Sequence, residues 1–289
     1  MMARTLFSCI VLISLAGLAA AQPALPFPSK VEAGTAFSVS TAGSGDATLY
    51  VLGPGDALAH KVHLGENVAF AADELHNAGH YVAILAAGSS SQSAQFDVVA
   101  SRQPAALSFL AKPSRLAVNR ENGISGVAYI FDVFGNLVLK PEQVSFQLSD
   151  ATGGAQSRSA ASHDGVAWVQ MNSAPKAGPA QFKAALDSVH ATRVVQQVPG
   201  DPCSIRMSAR PASGQRVLLR TDPVRDCSGN PVPDGTIVSF TETSQGRQST
   251  VDVPLKRGVA ETELPAENGA VISAAAGVVL GNEIRWSSR

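Results

Sequence analysis

Asp226-Cys227-Ser228-Gly229-Asn230-Pro231-Val232, running on through Pro233-Asp234-Gly235-Thr236-Ile237 to Val238-Ser239-Phe240, is the second copy of a pattern. The first stands 94 residues upstream, as Asp132-Val133-Phe134-Gly135-Asn136-Leu137-Val138, and ends on Val144-Ser145-Phe146. The shared skeleton is D-x-x-G-N-x-V, five free positions, then V-S-F, and it aligns without a gap. Glycine and asparagine accept positive φ at little steric cost, so each Gly-Asn marks a tight turn. Alternating runs flank the turns, Val127-Ala128-Tyr129-Ile130-Phe131 before one and Thr236-Ile237-Val238-Ser239-Phe240 after the other. Strand, turn, strand is the local structure this predicts.

The repeat extends beyond the turn. Pro104-Ala105-Ala106-Leu107-Ser108-Phe109-Leu110-Ala111-Lys112-Pro113 matches the stretch from Pro202 to Pro211, with apolar residues at the same alternate positions. Gly165-Val166-Ala167 matches Gly258-Val259-Ala260, and Ala177-Gly178-Pro179-Ala180 matches Asn268-Gly269-Ala270-Val271. Four anchors in one order, with drifting offsets, mean two homologous domains whose loops differ in length. The period is too long for a solenoid unit and suits a small β domain.

Ahead of the repeats stands an export signal at residues 1–21. Arg4 supplies the positive start, Leu6 to Leu18 is apolar but short for a membrane span, and Ala19-Ala20-Ala21 is a small-residue cleavage site. The mature chain should begin near Gln22. Cys9 lies inside the signal, and no later apolar run is long enough to cross a bilayer. The whole sequence holds 22 Lys and Arg against 23 Asp and Glu, and loss of Arg4 leaves a net charge of −2. That balance excludes nucleic acid as a partner. Abundant Val, Thr, Ser, Ala and Gly, with no long 3.6-residue periodicity, indicate an all-β protein.

Residues 22–99 should form a first domain. Ala47-Thr48-Leu49-Tyr50-Val51-Leu52 alternates into the turn Gly53-Pro54-Gly55-Asp56, and Gly79 stands two places before Tyr81, which opens another alternating strand. Gly79 and Tyr81 resemble the tyrosine corner of immunoglobulin-like sandwiches, where the ring packs inside and the hydroxyl bonds to backbone. The D-x-x-G-N turn is missing here, so this domain is a divergent relative. The second domain spans 100–199 and the third 200–289, with Pro199-Gly200-Asp201-Pro202 as a short, stiff joint. These lengths suit seven-strand sandwiches. The predicted fold is therefore all-β, three tandem immunoglobulin-like β-sandwiches after a cleaved signal peptide.

The segments Phe131 to Asn136 and Asp226 to Phe240 resemble the bacterial immunoglobulin-like domains of the invasin and intimin type, which carry D-x-x-G-N-P-V followed by a V-x-F strand. The likeness covers roughly two-thirds of the mature chain and implies repeated sandwich modules outside the cytoplasm. It specifies a fold and does not transfer cell adhesion.

Residue chemistry adds a disulfide. Cys203 and Cys227 are the two cysteines of the mature chain. If the first two strands of the third domain are antiparallel, both fall at the end facing the second domain, and export would oxidise them. A reactive thiol pair or a metal site would call for C-x-x-C or nearby ligands, which are lacking. Asp132 and Asp226 suggest either calcium at domain junctions or an Asx bond closing each turn on its own backbone; one aspartate per turn favours the latter. His60, His63, His76 and His80 crowd the first domain, but His60 and His63 on one strand would point to opposite faces, so solvated histidines are expected rather than zinc ligands. Trp168 and Trp286, on predicted strands, should fill cores.

No G-x-S-x-G elbow, H-E-x-x-H pair or phosphate-cradling glycine loop is present, and Ser89-Ser90-Ser91 reads as a solvated loop. No cofactor, metal or catalytic set is expected. The functional expectation is an exported, non-enzymatic spacer or interaction module, periplasmic, secreted or on the cell surface. Its partner would be a protein or glycan of the cell envelope. The alternative is a carbohydrate-binding or enzyme-accessory module, which would need an exposed aromatic platform among Trp168, Trp286, Tyr50 and Tyr129.

Overall fold

The computed structural model describes residues 25–287, and among them every regular element is a β-strand. The signal-peptide reading, residues 1–21, lies outside the described residues. The chain divides into two compact units, Met1–Val99 and Ala100–Arg289.

The first unit has seven strands: β1 (Lys30–Glu32), β2 (Phe37–Ser40), β3 (Asp46–Gly53), β4 (Asp56–His63), β5 (Asn67–Phe70), β6 (Gly79–Ala87) and β7 (Ser90–Val99). One sheet runs β1-β7-β6-β3-β4, with β1 parallel to β7, and β2-β5 forms the second. Strict alternation along β6 turns Tyr81, Ala83 and Leu85 inward, as period-2 geometry requires. Between the sheets Phe37 and Phe70 stack at 4.6 Å and Phe27 stacks on Phe96 at 4.9 Å.

The second unit contains two sandwiches, each with its own core. The strands of the first are β8 (Ala106–Lys112), β9 (Arg115–Ala117), β10 (Ile124–Phe131), β11 (Gln143–Ser149), β12 (Ala155–Ala161), β13 (Val166–Met171), β14 (Gly178–Leu186) and β15 (Val189–Val198). They form the sheets β13-β10-β8 and β12-β11-β14-β15-β9, with β9 parallel to β15. Phe109, Phe146 and Phe182, all fully buried, meet at its centre with ring separations from 5.0 to 6.3 Å.

The next sandwich comprises β16 (Met207–Ala212), β17 (Arg216–Thr221), β18 (Ile237–Ser244), β19 (Arg247–Pro254), β20 (Glu261–Pro265), β21 (Val271–Ala276), β22 (Val279–Leu280) and β23 (Ile284–Arg285). Its sheets are β16-β17-β20 and β19-β18-β21-β22, with β23 also on β21. The two sandwiches thus repeat one layout, three strands packed on a larger sheet, which is the immunoglobulin-like arrangement.

Two tryptophans expected in cores part company. Trp286, just past β23, is buried among Ile205, Phe240 and their neighbours. Trp168 on β13 is 64% exposed. Strand β13 alternates so that Ala167, Val169 and Met171 take the inward positions, and Trp168 is left on the outside. Tyr50 on β3 is likewise exposed.

Candidate functional site

Asp132 and Asp226 build the same turn. The Asp132 amide donates to the Asn136 carbonyl at 2.9 Å, and the Gly135 amide returns to the Asp132 carbonyl at 3.2 Å. At the second copy the corresponding distances are 2.9 and 3.0 Å, from Asp226 to Asn230 and from Gly229 to Asp226. Gly135 sits at φ +85° and Gly229 at +79°, a region that L side chains avoid. Oδ1 of Asp132 accepts from the amides of Phe134 and Asn136, and Oδ1 of Asp226 from those of Ser228 and Asn230. This is an Asx turn extended by one more bond.

The second carboxylate oxygen holds the entering chain. Oδ2 of Asp132 accepts from the Ser101 amide at 2.8 Å, and Oδ2 of Asp226 from the Gly200 amide at 3.0 Å. Each also takes a bond from the turn asparagine's own Nδ2, at 3.0 Å from Asn136 and 2.9 Å from Asn230. Burial alone would push both carboxyls up. The donors around them outweigh it and hold both below the usual carboxylate range. Both oxygens are occupied by N–H donors, so neither turn offers the oxygen cage that calcium takes. Among the described residues no group of three or more His, Cys, Asp or Glu is placed to hold a metal ion.

A third such turn escaped the sequence reading. Asp150-Ala151-Thr152-Gly153-Gly154 joins β11 to β12, with Asp150 N bonded to Gly154 O at 2.8 Å and Gly153 at φ +88°. Oδ1 of Asp150 accepts from the amides of Thr152 and Gly154. The signal was D-x-x-G. What it lacks is the asparagine.

That asparagine reaches into the neighbouring sandwich of the same unit. Asn230 Nδ2 donates to the Pro175 carbonyl at 2.8 Å, while its Oδ1 accepts from the Ala177 amide at 3.1 Å. Asn119 donates through its side chain to Ser228 Oγ, and Lys176 Nζ reaches the Ser228 carbonyl at 3.4 Å. Asn230 is buried, with its amide engaged on both sides. The joint is therefore a hydrogen-bonded contact between one turn and the loop leading into β14.

Cys203 and Cys227 are bonded to each other at the same end, with Cα atoms 4.6 Å apart. The Cys203 amide also donates to the Arg225 carbonyl at 2.9 Å, and Pro202 bridges to Asp226. Cys203 thus lies ahead of β16, which begins at Met207, and pairs with the segment at Arg225 and Asp226 that follows β17, so it does not open that strand. A groove of about 240 Å³ beside the joint is lined by Asn119, Arg120, Asp201, Cys227 and Ser228, among others.

In the first unit Tyr81 is fully buried, and its one hydroxyl proton is shared between Asp56 Oδ2 at 2.5 Å and the Asn77 carbonyl at 2.9 Å. Burial, then the bond to Asp56 and its charge, push the phenol far above its ordinary value. Gly79 stands under Pro54, where a Cβ would come within 2.5 Å of the proline ring. The histidines do not converge. His60 packs on Phe70 and pairs with Glu74 at 3.3 Å; His63 faces Asp46, and His80 faces Asp97, each at 3.1 Å. His76 lies just before the corner, in the turn between β5 and β6.

Compared with solved structures, the chain superposes on the FdeC adhesin of Escherichia coli with a TM-score of 0.61 at 15% identity, covering 89% of this chain and 94% of that one. The chain shares its fold with a bacterial adhesin. Yersinia pseudotuberculosis InvD also matches, at 11% identity and TM-score 0.45, over 90% of this chain and 84% of that one. So do the FN1–FN3 domains of chicken CNTN1, at 12% identity and TM-score 0.32, over 86% and 95%. No family model and no curated protein matches the sequence.

Proposed function

We propose that this chain is an exported, non-enzymatic spacer and interaction module of the cell envelope or exterior. Its modules would be residues 22–99, 100–199 and 200–289, following a leader at 1–21. One observation carries the reading. The turn at Asp226 to Asn230 directs side-chain groups to the neighbouring sandwich and to the entering backbone at Gly200. Such a joint resists bending, which is what a spacer requires. The Cys203–Cys227 bond supports a compartment where disulfides persist. The likeness to FdeC supports an extracytoplasmic place, through the fold alone.

Cell fractionation with thiol alkylation before lysis tests this. The oxidised protein is expected outside the cytoplasm, and protease added to intact cells should distinguish surface from periplasm. Recovery in the cytosol with both cysteines alkylated would end the proposal.

A further inference from the structure

The outer face of the sheet β13-β10-β8 presents its side chains as a grid set by strand register. In the middle row Val127 lies between Leu110 and Trp168. On one side of it Tyr129 lies between Ser108 and Val166, and on the other Ser125 lies between Lys112 and Gln170. These positions alternate with the core residues Phe109, Ala128, Ala167 and Val169, so they point away from it. Trp168 is 64% exposed and Leu110 is 47% exposed.

The corresponding sheet of the next sandwich, β16-β17-β20, dresses the same face with charge. There Leu218 lies between Arg210 and Glu263, and Arg220 between Ser208 and Glu261. Ion pairs cross it, Arg216 to Glu263 at 3.3 Å and Arg220 to Glu261 at 3.1 Å. The fold therefore has no need of an apolar surface here, and the aromatic one in the other copy calls for its own explanation.

We propose that the outer face of β13-β10-β8 is a binding site for a neutral oligosaccharide. Trp168 and Tyr129 would stack against sugar rings, and Ser108, Ser125 and Gln170 would hydrogen-bond to hydroxyls. Size and charge select this occupant. Three strands and three rows make a flat patch of roughly 300 Å². A stable protein–protein contact, a second copy of the chain included, needs about 800 Å² per partner. The grid carries no carboxylate and one cation, Lys112 at a corner, so nothing on it selects a charged ligand. Flat aromatic surface with hydroxyl and amide groups beside it complements a sugar, which offers C–H faces and hydroxyl edges.

The chain contains two tryptophans, and Trp286 is 7% exposed, so fluorescence changes on ligand addition report chiefly on Trp168. The full mature protein should be titrated with cellohexaose, xylohexaose, mannohexaose and chitohexaose. A saturable shift is expected with at least one. By calorimetry Trp168→Ala should weaken that binding at least tenfold, Trp168→Phe should keep part of it, and Gln170→Ala should weaken it several-fold. Circular dichroism and melting of each variant separate lost binding from lost folding, and Gln170→Ala serves if Trp168→Ala does not fold. No saturable change with any of the four sugars, together with no retention on cellulose, xylan, mannan or chitin, would overturn the proposal. So would unchanged affinity in Trp168→Ala, or a Trp168-dependent partner that proves to be a protein. The joint at Asn230 lies on other loops, so either outcome leaves the spacer reading to its own test.

Discussion

Gly53 lies against the ring of Tyr81 so closely that a Cβ on Gly53 would stand 2.1 Å from ring carbon Cε1. The ring cannot retreat without breaking its hydroxyl bonds to Asn77 and Asp56. Gly53→Ala should therefore destabilise the first unit by about 1–3 kcal/mol, as overpacking does. Tyr81→Phe keeps the ring and strands its two acceptors, at a cost of about 1–3 kcal/mol. Urea unfolding of the mature chain measures both. A neutral Gly53→Ala would show that the ring has a second resting place.

Gly229 is costly to replace for a different reason. No atom lies within 4 Å of a Cβ built there, so space is free and the penalty is φ at +79° alone. Gly229→Val should cost the third sandwich at least about 1 kcal/mol. An unchanged melting curve would mean that the turn relaxes into another shape.

At the joint, Asn230→Ala leaves the Pro175 carbonyl and the Ala177 amide without their partner. The sandwiches on either side should stay folded while the joint loosens. Spin labels at the exposed Ser157 and Ser249 should give a narrow distance distribution in the parent protein and a broad one in the variant. Identical distributions would place the stiffness elsewhere.

Acid should act on the same turns. Asp132 and Asp226 have folded-state values below their unfolded ones, so their contribution is complete above the unfolded value of about 3.9. It is lost as pH falls through the folded values. The urea midpoint should drop from about pH 5 downward, and less steeply in Asp132→Asn with Asp226→Asn. Parallel curves would sink this assignment.

Removing the disulfide by Cys203→Ser with Cys227→Ser should lower the stability of the third sandwich by about 3 kcal/mol, given the 24-residue separation. The first unit contains no cysteine among its described residues, so its own transition should not move. Differential scanning calorimetry resolves the two.

The repeated turn was legible because its constraints are local. Positive φ demands Gly229, and the Asx bonds demand Asp226 four residues ahead of Asn230. What Asn230 bonds to outside the turn was not legible, since Pro175 and Ala177 lie more than fifty positions away. Trp168 shows a second limit. Its neighbour in the sheet, β10, is apolar at Val127 and Tyr129 as well as at the buried Ala128 and Ile130. Alternation cannot say which face of such a strand is the core. The Asp150 turn was not legible from the repeated pattern because it lacks the asparagine, whose side chain elsewhere bonds the turn aspartate and, at Asn230, the neighbouring sandwich as well.

The bond between Cys203 and Cys227 also governs how the protein would yield under tension. A pull along the chain enters the third sandwich near Pro202, and the covalent link passes the load directly to Cys227. The 24 residues of separation, at up to about 3.5 Å each, amount to roughly 80 Å of contour that stays locked while the bond is intact. Strands β16 and β17 both lie wholly inside that locked length, so they can lose their hydrogen bonds without lengthening the tether. An extension trace of the oxidised protein would carry one step shortened by that amount, and a reductant would restore it.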